Sequence, residues 1–167
     1  DHPLVAETLG HLSLLYHFLG DSEKAEPLFE RTLAIRKRTF GEDHPRVAET
    51  LNSLATFYYS LEKYDDAERL YKRALAINEK NLGPEHPRVA ETLLRLAAVY
   101  GLRRDYSRAE SLYKRSLEIR EKVLGSEHPR VAETLNDMAQ CYLTFRDYAK
   151  SEPLFKRALA IWEKTLG

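Results

Sequence analysis

The sequence contains little of what several large classes of protein require. A single cysteine in 167 residues excludes an internal disulfide framework and a zinc site built from several thiolates of one chain. No apolar run approaches the roughly 18 residues of a membrane-spanning helix. The first residues, Asp1, His2 and Pro3, do not resemble a signal peptide. The sequence therefore predicts a cytoplasmic protein that does not insert into membranes.

Neither sign of charge is in excess. Lysine and arginine together number 26, as do aspartate and glutamate, so the formal net charge at pH 7 is zero. A long-range basic field that would attract nucleic acid is therefore not expected. Valine and isoleucine are few, whereas alanine, glutamate, lysine, leucine and arginine make up about half of the chain, a composition that favours helices over strands.

What the sequence does contain is a period of 42 residues. The dipeptide His-Pro recurs at this interval, beginning at His2, His44, His86 and His128. Valine followed by Ala-Glu-Thr-Leu recurs with it, and each segment ends at or near a glycine. Self-similarity at a fixed period indicates a repeat architecture. The predicted repeats are residues 1–42, 43–84, 85–126 and 127–167, and we expect them to form a single domain over residues 1–167.

The sequence of each repeat predicts a pair of helices. In the second repeat, Val47, Leu51, Leu54 and Tyr58 are spaced as on one face of a helix. A second helix follows a short turn and ends near Gly83, which is expected to cap it in the left-handed conformation. One pair of helices cannot bury its apolar face alone, whereas four stacked pairs bury a continuous core. The sequence therefore predicts an all-α fold of eight helices.

Small residues recur where the two helices of a pair must approach closely. On the first helices this column reads Ser13, Ala55, Ala97 and Ala139, and on the second helices it reads Ala25, Ala67, Ala109 and Ser151. A larger side chain in such a column must displace its neighbours. Leucine in place of Ala67 or Ala109 is expected to destabilise the fold by about 1–3 kcal/mol through overpacking.

The columns of the second repeat resemble those of the tetratricopeptide repeat. The matching residues are Leu51, Leu54, Ala55, Tyr58, Ala67, Tyr71 and Ala74. The 42-residue period and the wording Glu-Lys-x-Leu-Gly-x-x-His-Pro-x-Val-Ala-x-Thr-Leu-Asn are similar to the repeats of kinesin light chain, nephrocystin-3 and many bacterial repeat proteins. The resemblance implies a right-handed α-solenoid of four helix-turn-helix units. It also implies that the first helices line a concave surface that binds peptide segments of other proteins.

A second stripe on the first helices varies between repeats while the core columns stay fixed, as expected of a surface that is free to specialise. By resemblance to kinesin light chain, Asn52 and Asn136 match groove asparagines whose amides bond the backbone of an extended peptide. The alternative is that these are solvated helix residues without a ligand. The predicted groove residues are Asn52, Thr56, Tyr59, Arg95, Asn136, Asp137 and Gln140.

A row of glutamates runs beside this stripe. Its members are Glu7, Glu49, Glu91 and Glu133. We expect them in the first turn of each first helix, where the helix dipole stabilises a negative charge. Because Arg95 alone among the stripe residues is basic, the row also disfavours a strongly acidic peptide.

The sequence offers little chemistry beyond binding. The recurring histidines could suggest a metal, but stacked repeats stand about 10 Å apart, whereas zinc lies about 2 Å from its nitrogen ligands. His44 and His86 are therefore expected to have a structural role at the turns between repeats. No pattern of carboxylates, nucleophiles or phosphate-binding glycines indicates catalysis. The leading hypothesis is a non-enzymatic protein-interaction scaffold without a metal or cofactor and without nucleic acid as a partner.

The last repeat supplies the alternative hypothesis. Trp162 stands in a column that is otherwise polar, with Arg36, Asn78 and Arg120, and Ile161 precedes it. Either a further helix covers Trp162, or Ile161 and Trp162 mediate self-association, as a homodimer or end to end. A self-associating structural module is therefore the alternative to a peptide-binding scaffold.

Overall fold

A computed structural model describes residues 2–166, which form eight helices joined by short turns and contain no strand. The first helices of the four repeats have 16 residues each and the second helices have 19. The predicted eight-helix, all-α architecture is confirmed. The helices are α1 Pro3–Phe18, α2 Ser22–Phe40, α3 Pro45–Ser60, α4 Tyr64–Leu82, α5 Pro87–Leu102, α6 Tyr106–Leu124, α7 Pro129–Thr144 and α8 Tyr148–Leu166.

The helices pack into two compact units, which divide the chain after Gly83. In unit 1, α1 packs against α2, α3 packs against α4, and α2 packs against α3. Unit 2 has the same arrangement, with α5 on α6, α7 on α8 and α6 on α7. Each unit thus contains two of the predicted repeats. The single domain over residues 1–167 stays a prediction.

A histidine caps the start of every first helix. Its Nδ1 accepts a hydrogen bond from the backbone N–H two residues on, at 3.2 Å for His2 and at 3.1 Å for His44, His86 and His128. The bond satisfies one of the N–H groups that a first helical turn leaves unpaired. The proline that follows needs no such partner. The histidines therefore have the structural role that we predicted at the turns.

Glycines end α2, α4 and α6 in a conformation that differs from the predicted one. Gly41, Gly83 and Gly125 have φ between 88° and 90° and ψ between 152° and 160°. This extended conformation with a positive φ is essentially restricted to glycine. The left-handed cap predicted for Gly83 is therefore wrong, although the requirement for glycine is stronger. The corresponding Gly167 lies outside the described residues.

The columns of small residues lie in the core as predicted. All eight members are at most 3% exposed. The two serines among them satisfy their hydroxyl groups on backbone carbonyls, since Ser13 Oγ donates to the Gly10 oxygen and Ser151 Oγ donates to the Ala139 oxygen, each at 2.8 Å. Serine can therefore replace alanine here without leaving a buried donor unpaired.

A tyrosine joins consecutive repeats within each unit. In unit 1 the Tyr58 hydroxyl on α3 donates to Glu26 Oε1 on α2 at 2.8 Å. In unit 2 the Tyr142 hydroxyl on α7 donates to Glu110 Oε1 on α6 at 2.9 Å. Burial and the neighbouring carboxylate raise the pKa of both phenols. Both hydroxyls therefore remain protonated donors near neutral pH.

An arginine makes a second connection between the repeats of unit 1. Arg36 on α2 donates through Nη1 to the Arg46 backbone oxygen at 2.9 Å, to Thr50 Oγ1 at 3.0 Å and to Glu49 Oε2 at 3.4 Å. All three acceptors belong to α3. Burial lowers the pKa of the Arg36 guanidinium, and the Glu49 charge counteracts that shift. The side chain therefore links α2 to the start of α3 through charge-assisted hydrogen bonds.

Arg120 makes the same connection in unit 2. Its Nη1 donates to the Arg130 backbone oxygen at 2.6 Å, to Thr134 Oγ1 at 3.0 Å and to Glu133 Oε2 at 3.3 Å. Glu133, like Glu49, is the fifth residue of its helix and lies beyond the first turn. Glu7 and Glu91 hold the same position in α1 and α5, so the first-turn placement expected for the glutamate row is wrong for all four residues. For Glu49 and Glu133 the partner is an arginine of the preceding helix.

Candidate functional site

Three predicted groove residues lie on α3 in unit 1, where Asn52, Thr56 and Tyr59 are all half-buried. Thr56 Oγ1 donates to the Asn52 backbone oxygen at 3.0 Å and lies 2.9 Å from the hydroxyl of Tyr71. The Tyr59 ring packs edge-on against Tyr64, with 5.9 Å between the centroids. The helix thus brings the three side chains to one accessible face. The Thr56 hydroxyl already donates its proton to a backbone oxygen of the same helix.

The other four predicted groove residues lie in unit 2. Arg95 on α5 donates through Nη2 to Glu91 Oε1 at 3.0 Å, and α5 packs against α7. Asn136 and Asp137 on α7 are half-buried, whereas Gln140, nearly one turn further on, is exposed. Unit 2 therefore presents an amide and both signs of charge on neighbouring helices.

Burial raises the pKa of the Asp137 carboxyl, and the charge of Glu133 acts in the same direction. The hydrogen bond with Asn136 and the charges of Arg120 and Arg95 lower the pKa but do not cancel that effect. The ionised form of the Asp137 carboxyl is therefore disfavoured, because water is partly excluded from it. Such an arrangement destabilises the fold at neutral pH and is typical of positions that serve binding rather than stability.

Replacing Asp137 with asparagine is expected to raise the urea concentration at half-unfolding at neutral pH. Because the folded state holds the Asp137 proton more tightly than the unfolded state, stability falls as the pH rises from the carboxyl's ordinary pKa through its raised value. The neutral amide avoids that loss. The advantage of Asp137→Asn should shrink at about pH 3.5, where the carboxyl is mostly protonated in both states.

The matched control is the exposed Glu118 on α6. Glu118→Gln removes a charge of the same sign and should leave the unfolding midpoint unchanged at both pH values. An Asp137→Asn protein that is less stable than the wild type at neutral pH would show that the carboxylate is a net stabilising group.

A cavity of about 160 Å³ opens between α1, α2 and α3 in unit 1. Gly10 and Leu14 of α1 line it, together with Phe29 and Thr32 of α2 and Ser53 of α3. Gly10 stands in the column of Asn52 and Asn136, and Leu14 stands in the column of Thr56 and Gln140. The cavity therefore belongs to the face on which the groove residues were predicted, in the repeat for which sequence reasoning named none.

Ile161 and Trp162, the residues predicted to mediate self-association, differ in burial. Ile161 is only 2% exposed and lies in a core cluster with Val131 and Leu135, and the partly buried Trp162 packs against this cluster. Leu159, which was not predicted, is 54% exposed. Trp162 and Leu159 are thus available to a partner, whereas Ile161 serves the core of unit 2.

Residues 2–166 contain neither a candidate membrane-spanning helix nor a candidate metal site. No helix in this part of the chain is both long enough and apolar enough to cross a membrane. No three histidine, cysteine, aspartate or glutamate side chains in the same range lie together as potential metal ligands.

Comparison with protein families gives one match that spans nearly the whole chain. The family model described as Tetratricopeptide repeat matches three overlapping ranges, residues 4–80, 46–122 and 88–164. No curated protein sequence matches significantly. The overlapping ranges start 42 residues apart, so the family match follows the period found in the sequence.

Solved structures of similar repeats cover the chain completely. BtubC (BKLC) from P. vanneervenii is 28% identical with a TM-score of 0.89, over 100% of this chain and 67% of that one. A Podosopora anserina protein described as a kinesin light chain with nearly identical TPR-like repeats is 27% identical with a TM-score of 0.85, over 100% of this chain and 79% of that one. The apo form of RapI, at 19% identity and a TM-score of 0.84 over 99% of this chain and 58% of that one, shows the fold alone. The predicted kinesin-light-chain-like repeats and solenoid fold are confirmed.

Proposed function

Because this chain belongs to the tetratricopeptide repeat family, whose repeats are protein-interaction scaffolds, we propose that it holds a peptide segment of a partner protein on the face of its first helices. The finer assignment follows the relatives described as kinesin light chains, and it makes the partner an adaptor or cargo protein. The proposal includes action in the cytoplasm, without catalysis and without a cofactor.

The observation that carries the proposal is the contrast between two faces of the same helices. The core columns of α3 and α7 are almost completely buried, whereas Asn52 and Asn136 in a neighbouring column are half-exposed. A side-chain amide offers both a donor and an acceptor. An extended peptide presents both groups on its backbone, so an asparagine at the same place in each unit suits sequence-independent backbone recognition.

The charges around these asparagines restrict the ligand. In unit 2 the carboxylates of Glu91, Glu133 and Asp137 stand against the guanidiniums of Arg95 and Arg120, which already pair with two of them. Like charges brought together across an interface oppose binding. The preferred segment is therefore neutral or mixed in charge rather than strongly acidic.

A peptide library tests this proposal. The library is passed over the wild-type chain, and the affinity of the enriched peptide is measured for the double variant Asn52→Ala/Asn136→Ala. Loss of two backbone-directed amides should weaken binding about tenfold, while the far-UV circular dichroism stays unchanged.

The control replaces two exposed residues of second helices, Thr39 and Ser111, with alanine. This variant should bind the enriched peptide like the wild type. If the asparagine variant binds equally well, or if no peptide is enriched, the groove assignment is wrong.

A second candidate function, self-association as a homodimer or end to end, is favoured by apolar side chains that face solvent. Phe18 is 80% and Leu19 is 68% exposed in unit 1, and Tyr148 is 60% and Leu159 is 54% exposed in unit 2. Sedimentation equilibrium at rising concentration should then give at least twice the monomer mass, reduced by Leu159→Lys. A monomer mass at all concentrations would exclude this candidate.

A further inference from the structure

The cavity of unit 1 owes its space to a missing side chain. Gly10 lies in the interior of α1, where glycine destabilises a helix relative to alanine. The nearest atom to a Cβ placed on Gly10 would be Cγ2 of Thr32, at 3.7 Å, so steric crowding does not exclude a side chain here. A glycine that no steric contact requires is consistent with a position that a ligand approaches closely.

The size of the cavity and the residues behind it suit one ring. Its volume is about 160 Å³. An apolar cavity of about 150 Å³ that was engineered into another protein admits benzene. Phe29 is 1% exposed and Thr32 is 1% exposed, and both face the cavity together with Leu14. An aromatic ring would therefore contact a ring, a methyl group and an aliphatic side chain, contacts that are favourable for aromatic groups.

The charged groups at the cavity are mixed in sign and favour a neutral occupant. The carboxylates of Glu7 and Glu49 line it, and they would repel a phosphate or a carboxylate. The guanidinium of Arg36 also lines it, but its Nη1 is occupied by the Arg46 backbone oxygen, Thr50 and Glu49. The His11 imidazole lines the cavity too. Because the guanidinium and this imidazole stand beside the two carboxylates, a further cation gains little.

A hydroxyl on the ring would find acceptors at the cavity. Ser53 Oγ donates its proton to the Glu49 backbone oxygen at 3.1 Å, and a hydroxyl oxygen that donates retains lone pairs with which it accepts. The Glu49 carboxylate accepts as well. A phenol could therefore donate to either group without displacing a bond within the chain.

We propose that this cavity receives a neutral aromatic side chain, tyrosine or phenylalanine, of a bound protein segment. The inference rests on the proposed function only where it assigns the ring to a partner held on the face of α1 and α3. It names a specific anchor in the first repeat, whereas the groove asparagines contact backbone and do not distinguish side chains.

Side-chain analogues test the cavity without any peptide. The chain labelled with ¹⁵N is titrated with p-cresol, n-butylamine and p-cresyl phosphate, which represent tyrosine, lysine and phosphotyrosine. We expect p-cresol to shift the amide signals of Gly10, Thr32 and Ser53 with a millimolar dissociation constant, the range of a single small fragment. The other two compounds should shift them at least tenfold less at equal concentration.

The decisive variant is Gly10→Asn, which places in α1 the side chain that Asn52 and Asn136 carry in the same column. It fills the cavity and is compatible with a first helix, so the p-cresol shifts should disappear while the far-UV circular dichroism is retained. The control Gly101→Ala changes a glycine of α5 in unit 2, where a Cβ would lie 3.6 Å from Cys141 Sγ. It should leave the p-cresol shifts unchanged.

Three results would overturn the inference: no shift up to about 20 mM p-cresol, well above a millimolar dissociation constant; equal shifts in Gly10→Asn; or stronger shifts with n-butylamine or p-cresyl phosphate. Failure of the proposed function is separate, because it appears in the peptide library. If p-cresol binds as expected and the library enriches no peptide, the cavity is an aromatic site and only its assignment to a peptide partner is wrong.

Discussion

Replacing Ala109 with leucine is expected to lower the free energy of unfolding by about 3 kcal/mol. Ala109 on α6 is 0% exposed, and α6 packs closely against α5. Every repeat has alanine or serine at this position. Three added carbon atoms must therefore displace neighbouring side chains or separate the helices, and overpacking of this kind destabilises by about 1–3 kcal/mol. Denaturant unfolding followed by far-UV circular dichroism measures the change.

Two matched variants define the cause. Ala160→Leu adds the same atoms to an exposed position of α8 and should change the free energy of unfolding by at most about 0.5 kcal/mol. Ala109→Ser should be far milder than Ala109→Leu, because Ser151 in the same column donates to a backbone oxygen. If Ala109→Leu unfolds at the wild-type denaturant concentration, the column is not a close-packed contact.

Most of the fold could be predicted because its determinants are local and repeated. His44 and the proline after it stand next to each other in sequence and act together as a helix start. The alanine columns required only the 42-residue comparison and the rule that close helices need small side chains. Four copies of each signal make coincidence an improbable explanation, and the family match follows the same period.

The wrong predictions concern a backbone conformation and a side-chain partner. A column of equivalent residues in the repeats specifies neither of these. Glycine was correctly expected after α4, but Gly83 has φ of 88° and ψ of 156°, and the residue type alone does not distinguish this conformation from the left-handed one. The sequence position of Glu49 in its own helix indicates a role toward the helix dipole but does not specify its side-chain partner. Its partner Arg36 precedes it by 13 residues on another helix, so the pair depends on how consecutive repeats stack.

The candidate site, too, has features that the sequence predicts and features that it does not. The accessible face of α3 and α7 could be predicted from columns that vary while their neighbours stay fixed. The cavity could not, because its space comes from the side chain that Gly10 lacks and its walls come from three helices. The available signal was glycine in a column that elsewhere holds asparagine or leucine. The raised pKa of Asp137 depends on burial among charges of three helices, which no single column reports.

Replacing Arg120 with alanine is expected to lower the free energy of unfolding by about 3 kcal/mol. Its side chain is 6% exposed, and its Nη1 has three acceptors on α7. Hydrogen bonds of charged groups contribute about 1.5–3 kcal/mol each, but bonds that share one donor group do not add fully. Glu133 is 55% exposed, so water hydrates its carboxylate when the guanidinium is absent. The half-buried Asp137 carboxyl, in contrast, loses one of the two positive charges that lower its pKa, which adds to the loss of stability.

Three further variants separate bonding from packing. Arg120→Leu retains most of the buried volume and should lose less stability than Arg120→Ala, as hydrophobic replacements of buried ion pairs do. Arg130→Ala removes an exposed side chain whose backbone oxygen, not its guanidinium, accepts the bond, and it should cost at most about 0.5 kcal/mol. Arg36→Ala should cost less than Arg120→Ala, because the Arg36 side chain is 16% exposed and water replaces part of its interactions. The reverse order would show that burial does not determine the strength of this connection.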